Sequence, residues 1–277
     1  MLPFSITVTK ESLPFISEQF LPDITIEMNP VQSLPKHNND GFWIVNSYYL
    51  NKSDGYAVYF YAHRSGSPYA YVSWNKHCPQ KLDCFYLAGH ENLISYSQNI
   101  VDLLCLESLL LNFGSIILHS SFIRSNGRGI LFTAPSGTGK STQASLWEKY
   151  MGAEILNGDR AGIRKIGDTW HAFGLPYAGS SNIYRNESAP LKALVLLRQA
   201  KENRISRISS AEAMRSIYPE ITIHRWDPDF VAKALDLFLE LCTDVPVYLL
   251  ECLPDEGAVR TLEERLLLED HFPKFST

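Results

Sequence analysis

Thr133-Ala-Pro-Ser-Gly-Thr-Gly-Lys-Ser-Thr142 follows the apolar run Ile130-Leu-Phe132 and precedes residues 140–150, whose composition suits a helix. A GxxxxGK[ST] pattern between a strand and a helix predicts a phosphate-binding loop, because the context separates it from a chance match. Gly137 and Gly139 can take backbone conformations closed to other residues, so successive N–H groups, from Ser136 through Thr138 to Thr142, can wrap phosphate oxygens. The helix adds the positive end of its dipole. The Lys140 ammonium would neutralise the terminal phosphates, and the Ser141 hydroxyl would complete the shell of a Mg²⁺ ion. Two positions depart from the pattern: Ala134 stands where the first glycine is expected, and Pro135 lacks an N–H.

Outward from the loop, residues 115–123 read as a strand that turns at Ser125-Asn-Gly-Arg-Gly129 and returns through residues 130–133. Beyond the helix, strands are predicted at 153–156, 162–166, 170–173, 191–197 and 247–252, and helices at 210–217, 228–241 and 255–268. The class is therefore α/β or a mixed α+β. Asp159, in Glu154-Ile-Leu-Asn-Gly-Asp-Arg160, ends the strand after the loop helix, where an acid could hold the metal or accept the proton of an attacking hydroxyl. Asn157-Gly158 between two strands is equally a hairpin signal, and Asp159 would then only be part of a turn.

The first 92 residues differ in character. They are rich in Tyr, Phe and Trp, with short aromatic runs at 42–50, 56–62 and 69–74 separated by turn residues, which predicts a small antiparallel sheet. Residues 93–113 have apolar positions at helical spacing, stop at Gly114, and are read as a joining helix. The expected organisation is a β-rich N-terminal region, 1–92, followed by a nucleotide-binding catalytic domain, 93–277.

The chain has 277 residues, 45% apolar, with 25 Lys and Arg against 30 Asp and Glu, so the net charge is −5. No basic block predicts a nucleic-acid or membrane partner. Residues 1–15 lack a basic region ahead of a long apolar run, which points to a cytoplasmic protein, and residues 101–113 are too short and too charged to cross a bilayer. Five scattered cysteines without CxxC read as reduced thiols, and the loose group His77, Cys78, Cys84 and His90 as coincidence rather than a metal site.

Taken together, Leu118-His-Ser-Ser-Phe-Ile123, Gly129-Ile-Leu-Phe-Thr-Ala-Pro-Ser-Gly-Thr-Gly-Lys-Ser141 and Ile155-Leu-Asn-Gly-Asp-Arg160 resemble the catalytic domain of HPr kinase/phosphorylase, whose fold is related to ATP-dependent phosphoenolpyruvate carboxykinase. The resemblance covers roughly residues 116–197. It implies an ATP- and Mg²⁺-dependent kinase acting on a serine hydroxyl of a peptide, protein or small molecule, and it suggests oligomers. It makes His119 a residue facing the phosphate site, either orienting Asp159 or meeting the γ-phosphate. That family has two adjacent aspartates after the loop helix, the first implicated as acid/base; here Gly158 replaces the first. Asp159 then takes over that role, only holds metal, or belongs to a degenerate kinase that binds nucleotide to present its aromatic N-terminal sheet to a partner.

Residues 174–182, with Ser180 and Ser181, followed by Arg185 and Glu187, form a glycine- and hydroxyl-rich stretch of the kind that covers an acceptor substrate. Arg185 and Arg160 are candidates for stabilising charge on a transferring phosphoryl group.

Overall fold

The computed structural model describes residues 28–37, 40–75, 77, 82–94, 105–176 and 179–271. The chain divides into two compact units, Leu2–Asn112 and Phe113–Thr277. The expected boundary after residue 92 therefore lies N-terminal to the observed division.

In the first unit, β1 (Met28–Val31), β2 (Phe42–Ile44), β3 (Ser47–Lys52), β4 (Gly55–Tyr61), β5 (Pro68–Asn75) and β6 (Leu82–Leu87) form one sheet in the order β1-β6-β5-β4-β3-β2. The sheet is antiparallel except at one edge, where β1 runs parallel to β6. Residues 42–50 make two strands rather than the single one expected, because Val45 adopts a left-handed φ of 51° and turns the chain between β2 and β3. One face of the sheet buries Tyr48, Tyr59, Tyr61 and Tyr71, with Trp43 and Phe85 packed alongside. The tyrosines of neighbouring strands meet directly, Tyr59 and Tyr71 with ring centroids 4.8 Å apart.

Of the predicted joining helix, the described residues give α1 (Glu91–Ile94) and α2 (Leu106–Asn112); residues 95–104 lie outside them, as does Cys78. Within the first unit, the Tyr56 hydroxyl on β4 donates to Ser108 Oγ on α2 at 2.7 Å. This buried bond ties α2 to the aromatic sheet, so α2 belongs with it and not with the loop-bearing unit. Cys84, Cys105, Cys242 and Cys252 are free and buried, and desolvation pushes the Cys84 and Cys242 thiols up to about 12.

The second unit follows the predicted order closely. It contains β7 (Ser115–Ser125), β8 (Arg128–Thr133), α3 (Lys140–Met151), β9 (Glu154–Asn157), β10 (Arg160–Ile166), β11 (Thr169–Gly174), β12 (Ser188–Gln199), β13 (Arg204–Arg207), α4 (Ser210–Ile217), α5 (Pro228–Asp244), β14 (Val247–Cys252) and α6 (Glu256–His271). The short edge strand β13 has no counterpart in the sequence reading. The strands form a mixed sheet, β11-β10-β7-β8-β12-β14-β13, with β9 paired to β7. It curls far enough for β11 to pair with the first residues of β12 as well. Strands β8, β12 and β14 run parallel to one another.

Parallel strands covered by helices should be continuously apolar, and residues 193–197 are buried without alternation. A core under α3 and α6 joins Phe132, Trp147, Val195, Tyr248 and Leu262. Helix α5 packs on β7 with Phe230, Ala234 and Phe238 buried, and Asp227 caps it by accepting from the Asp229 and Phe230 N–H groups. Among the described residues, no helix is long and apolar enough to cross a membrane.

Candidate functional site

The 134–139 loop leaves β8 and turns into α3 without a side-chain cap. Gly137 has φ 78° and Gly139 φ 120°, backbone conformations that side chains oppose. The first N–H groups of α3 have no intrahelical partner, as at any helix start, and face outward with the positive dipole end. Lys140, the first residue of α3, is only 7% exposed. Its Nζ donates to the Ala134 carbonyl oxygen at 2.7 Å and lies 3.5 Å from that of Pro135. Burial pushes the Lys140 pKa down, against the nearby Glu220 and Asp159 carboxylates that pull it up.

Asp159 reaches this place by an unexpected route. The Asn157-Gly158 hairpin does not form: β9 and β10 both pair antiparallel with β7, Asn157 opposite Phe122 and Arg160 opposite His119, with a register shift in the β7–β9 ladder between Phe122 and Ile123. The chain kinks at residues 158–159 and carries on. Asn157, fully buried, makes the kink, because its Oδ1 accepts from the N–H groups of both Asp159 and Arg160 at 2.9 Å while its Nδ2 donates to the Leu175 carbonyl. The Asp159 carbonyl keeps contact with β7 by accepting from the Ser120 N–H at 2.8 Å. The side chain of Asp159 therefore leaves the sheet edge beside the loop.

His119 and Asp159 are brought together, with His119 Nε2 3.5 Å from Asp159 Oδ1. On the other ring nitrogen, Nδ1 lies 2.7 Å from Glu220 Oε2. Glu220 was not anticipated. It sits in a turn after α4, and its neighbours are pinned to β7 by the Leu118–Ile221 bridge and by the Thr222 N–H, which donates to the Ile117 carbonyl at 2.9 Å. Nothing in Tyr218-Pro-Glu220 marks it as functional. Arg160 lies beside Asp159, Nε to Oδ2 3.4 Å, and its Nη1 donates to Thr222 Oγ1 at 2.8 Å. The hydrogen-bonding contact with His119, and then the Arg160 charge, hold the Asp159 carboxyl below the usual carboxylate range despite its partial burial.

The 174–182 stretch closes on the same acid. A short 3-10 turn, Gly179–Ser181, places Gly179 so that a Cβ there would lie 3.0 Å from Asp159 Cγ. A Cβ on Gly158 would overlap the Ser181 side chain, which explains the glycine where the resemblance expects an aspartate. Gly158→Ala is expected to cost about 1–3 kcal/mol by overpacking, and adding Ser181→Gly to restore most of it. Urea denaturation of the two variants checks this; wild-type stability in the single variant would contradict the close approach.

Arg185 is not part of the cluster. Its Nη1 is 3.4 Å from Glu154 Oε2, at the opposite end of β9 from Asp159, where Arg124 also binds Glu154 and Glu187. The Ser180 side chain and residues 177–178 lie outside the described ones.

On the far side of the loop a cleft of about 440 Å³ opens between the loop, the start of α3 and the ends of β12 and β14. Across its rim, Gln199 Nε2 donates to the Thr138 carbonyl at 3.3 Å.

No family model matches the chain, and no curated protein matches it. Among solved structures it is similar to the HPr(Ser) kinase/phosphatase from Coxiella burnetii, at 14% identity and a TM-score of 0.33, covering 57% of this chain and 99% of that one. So remote a likeness says nothing of activity.

Proposed function

We propose that the protein is an ATP- and Mg²⁺-dependent kinase that transfers the γ-phosphoryl group to a hydroxyl, most directly that of a serine in a peptide, a protein or a small molecule. The observation that carries this is His119 with Asp159 on one ring nitrogen and Glu220 on the other, at a strand end next to a loop whose glycines are in φ > 0 conformations and whose Lys140 Nζ is held by the Ala134 carbonyl. Cations and N–H donors suit a polyphosphate; the ionised acid beside them suits a hydroxyl nucleophile.

Ser141 and Asp159 offer a hydroxyl and a carboxylate, donor types that suit a Mg²⁺ ion. Among the described residues no group of three or more His, Cys, Asp or Glu could hold a metal alone. Magnesium instead keeps several waters and binds through one or two protein oxygens together with substrate phosphates. Ser141 Oγ and an Asp159 oxygen would hold it, and when bound it neutralises charge between the β- and γ-phosphates.

The chain's own groups do the rest. Loop N–H groups and Lys140 hold the phosphates in line, and Arg160, fixed by Thr222, faces the transferring group. The acceptor oxygen bonds to the γ-phosphorus as the bond to the β-bridging oxygen breaks, ADP leaves, and the hydroxyl proton passes to Asp159. His119, with one carboxylate on each ring nitrogen, can move that proton on towards Glu220. A carboxylate with a lowered pKa is a weak base, which suffices where the transition state is loose and the nucleophile gives up its proton late.

Incubation with γ-labelled ATP and a set of serine-bearing peptides, with and without EDTA, tests the reading. Label in a peptide only when Mg²⁺ is present supports it. Tight ATP binding with neither transfer nor hydrolysis would favour the second reading, a nucleotide-gated binding module, for which Gly158 in place of an acid is the specific observation.

A further inference from the structure

The Gly179–Ser181 turn lies against the acid at the centre of the site, and the pairing of the chain that follows puts it there. Asn157 bridges to Tyr184, the Arg185 N–H donates to the Leu156 carbonyl at 2.9 Å, and the Gly158 N–H donates to the Ile183 carbonyl at 3.1 Å. Residues 183–185 thus run antiparallel along the edge of β9 that faces away from β7, and this register carries the turn to the kink at residues 158–159. Asn182, with a left-handed φ of 51°, bends the chain out of the turn. Across the sheet the kink is level with the start of the glycine-bearing loop: the Asp159 carbonyl accepts from the Ser120 N–H, and Ser120 stands opposite Thr133, the last residue of β8. Two strand spacings, about 10 Å, separate the two backbones.

Two close approaches fix the turn on the kink. A Cβ on Gly179 would lie 3.0 Å from Asp159 Cγ and 3.1 Å from its Oδ2, and a Cβ on Gly158 would lie 2.2 Å from Ser181 Oγ. A serine hydroxyl is therefore packed against the residue that precedes Asp159, while the Asp159 carboxylate touches the same turn. Ser181 is half-buried, which keeps its side chain in place without sealing it in. Its Oγ accepts from the Ile183 N–H only at 3.4 Å, near the limit of a hydrogen bond, so that contact costs little to give up.

We propose that Ser181 is a site of self-phosphorylation, an acceptor hydroxyl that the fold supplies in cis. This rests on the kinase reading of the same site. Ser181 Oγ bonds to the γ-phosphorus of ATP, the bond from that phosphorus to the β-bridging oxygen breaks, ADP leaves, and the hydroxyl proton passes to Asp159. A hydroxyl tethered beside the acid needs no encounter with a second molecule, and an acceptor held in place gains rate from that alone. The product is a phosphoserine with close to two negative charges. Arg160, whose Nε is 3.4 Å from Asp159 Oδ2, is the neighbouring cation that can pair with it.

Incubation of the full chain with Mg²⁺ and γ-labelled ATP, with no other acceptor present, tests it. Trypsin releases residues 166–185 as one peptide, and mass-spectrometric fragmentation locates the phosphate within it. Expected is a single phosphoryl group per chain, on Ser181, formed at a rate per chain that dilution does not change. Ser181→Ala should abolish label in that peptide, and Lys140→Met should slow its appearance by about 10²-fold or more, with circular dichroism reporting that both variants are folded. Because the site is mapped on the wild type, the assignment does not depend on either variant. Label elsewhere than on Ser181, or a rate per chain that falls in proportion to protein concentration, overturns the proposal. So does a chain that stays unlabelled while transferring phosphate to a serine-bearing peptide, a result that leaves the kinase reading standing. A chain that labels neither itself nor any peptide removes both.

Discussion

Lys140→Met is expected to lower phosphoryl transfer by about 10²–10³-fold, the loss typical when one preorganised group facing developing charge is removed. The methionine keeps most of the volume of a side chain that is 7% exposed, so circular dichroism should report an unchanged fold. What disappears is an ammonium aligned by the Ala134 carbonyl and set close to Glu220 and Asp159. Because the charge bears on both the bound triphosphate and the transition state, KM for ATP should rise as kcat falls. Single-turnover transfer of label separates the two. Activity within twofold of wild type would remove Lys140 from the mechanism.

Asp159→Asn should cost about 10²–10⁴-fold, because it takes away a proton acceptor and a metal-binding oxygen without changing shape. The same variant has a signature in stability. Contacts with His119 and Arg160 hold the Asp159 carboxyl below its ordinary value, so its ionised form favours folding. That contribution is fully present above the unfolded carboxyl's pKa, about 3.9, and is lost as pH falls through the lower folded value. The stability gap between wild type and Asp159→Asn should therefore be widest near neutrality and close on acidification across that window, as urea denaturation at several pH values would show. A constant gap would mean that the carboxylate's charge is not what the fold uses. If His119, Asp159 and Glu220 work as one chain of groups, the Asp159→Asn/Glu220→Gln double variant should lose less activity than the two singles combined. Simple additivity would make Glu220 a bystander.

The order of elements in the second unit was readable because each signal is local. The apolar run of residues 130–132, the glycines at 137 and 139 and the amphipathic spacing at 228–241 all act within a few residues of themselves. Where local signal and structure part, distant partners overrule the local signal. Asn157-Gly158 carries the chemistry of a hairpin turn, yet β7 pairs with both flanking strands, and Asn157 uses its side chain to bridge the kink and hold Leu175 instead. Aromatic residues 42–50 look like one strand until Val45 turns them into two.

Alone, the amino-acid sequence determined that a strand, a glycine-bearing loop with a lysine, and a helix succeed one another at residues 130–151, since sterics and hydrogen bonding over a few residues suffice to set them. Which groups surround that loop was decided only by the tertiary structure. Glu220 joins His119 across 101 residues of chain because a turn after α4 is stitched to β7, and Gln143 of α3 meets Cys252 because β14 lies in the same parallel set as β8. Such pairings depend on how sheet strands are ordered and registered, a long-range outcome of burial and ladder formation that no short window of residues encodes.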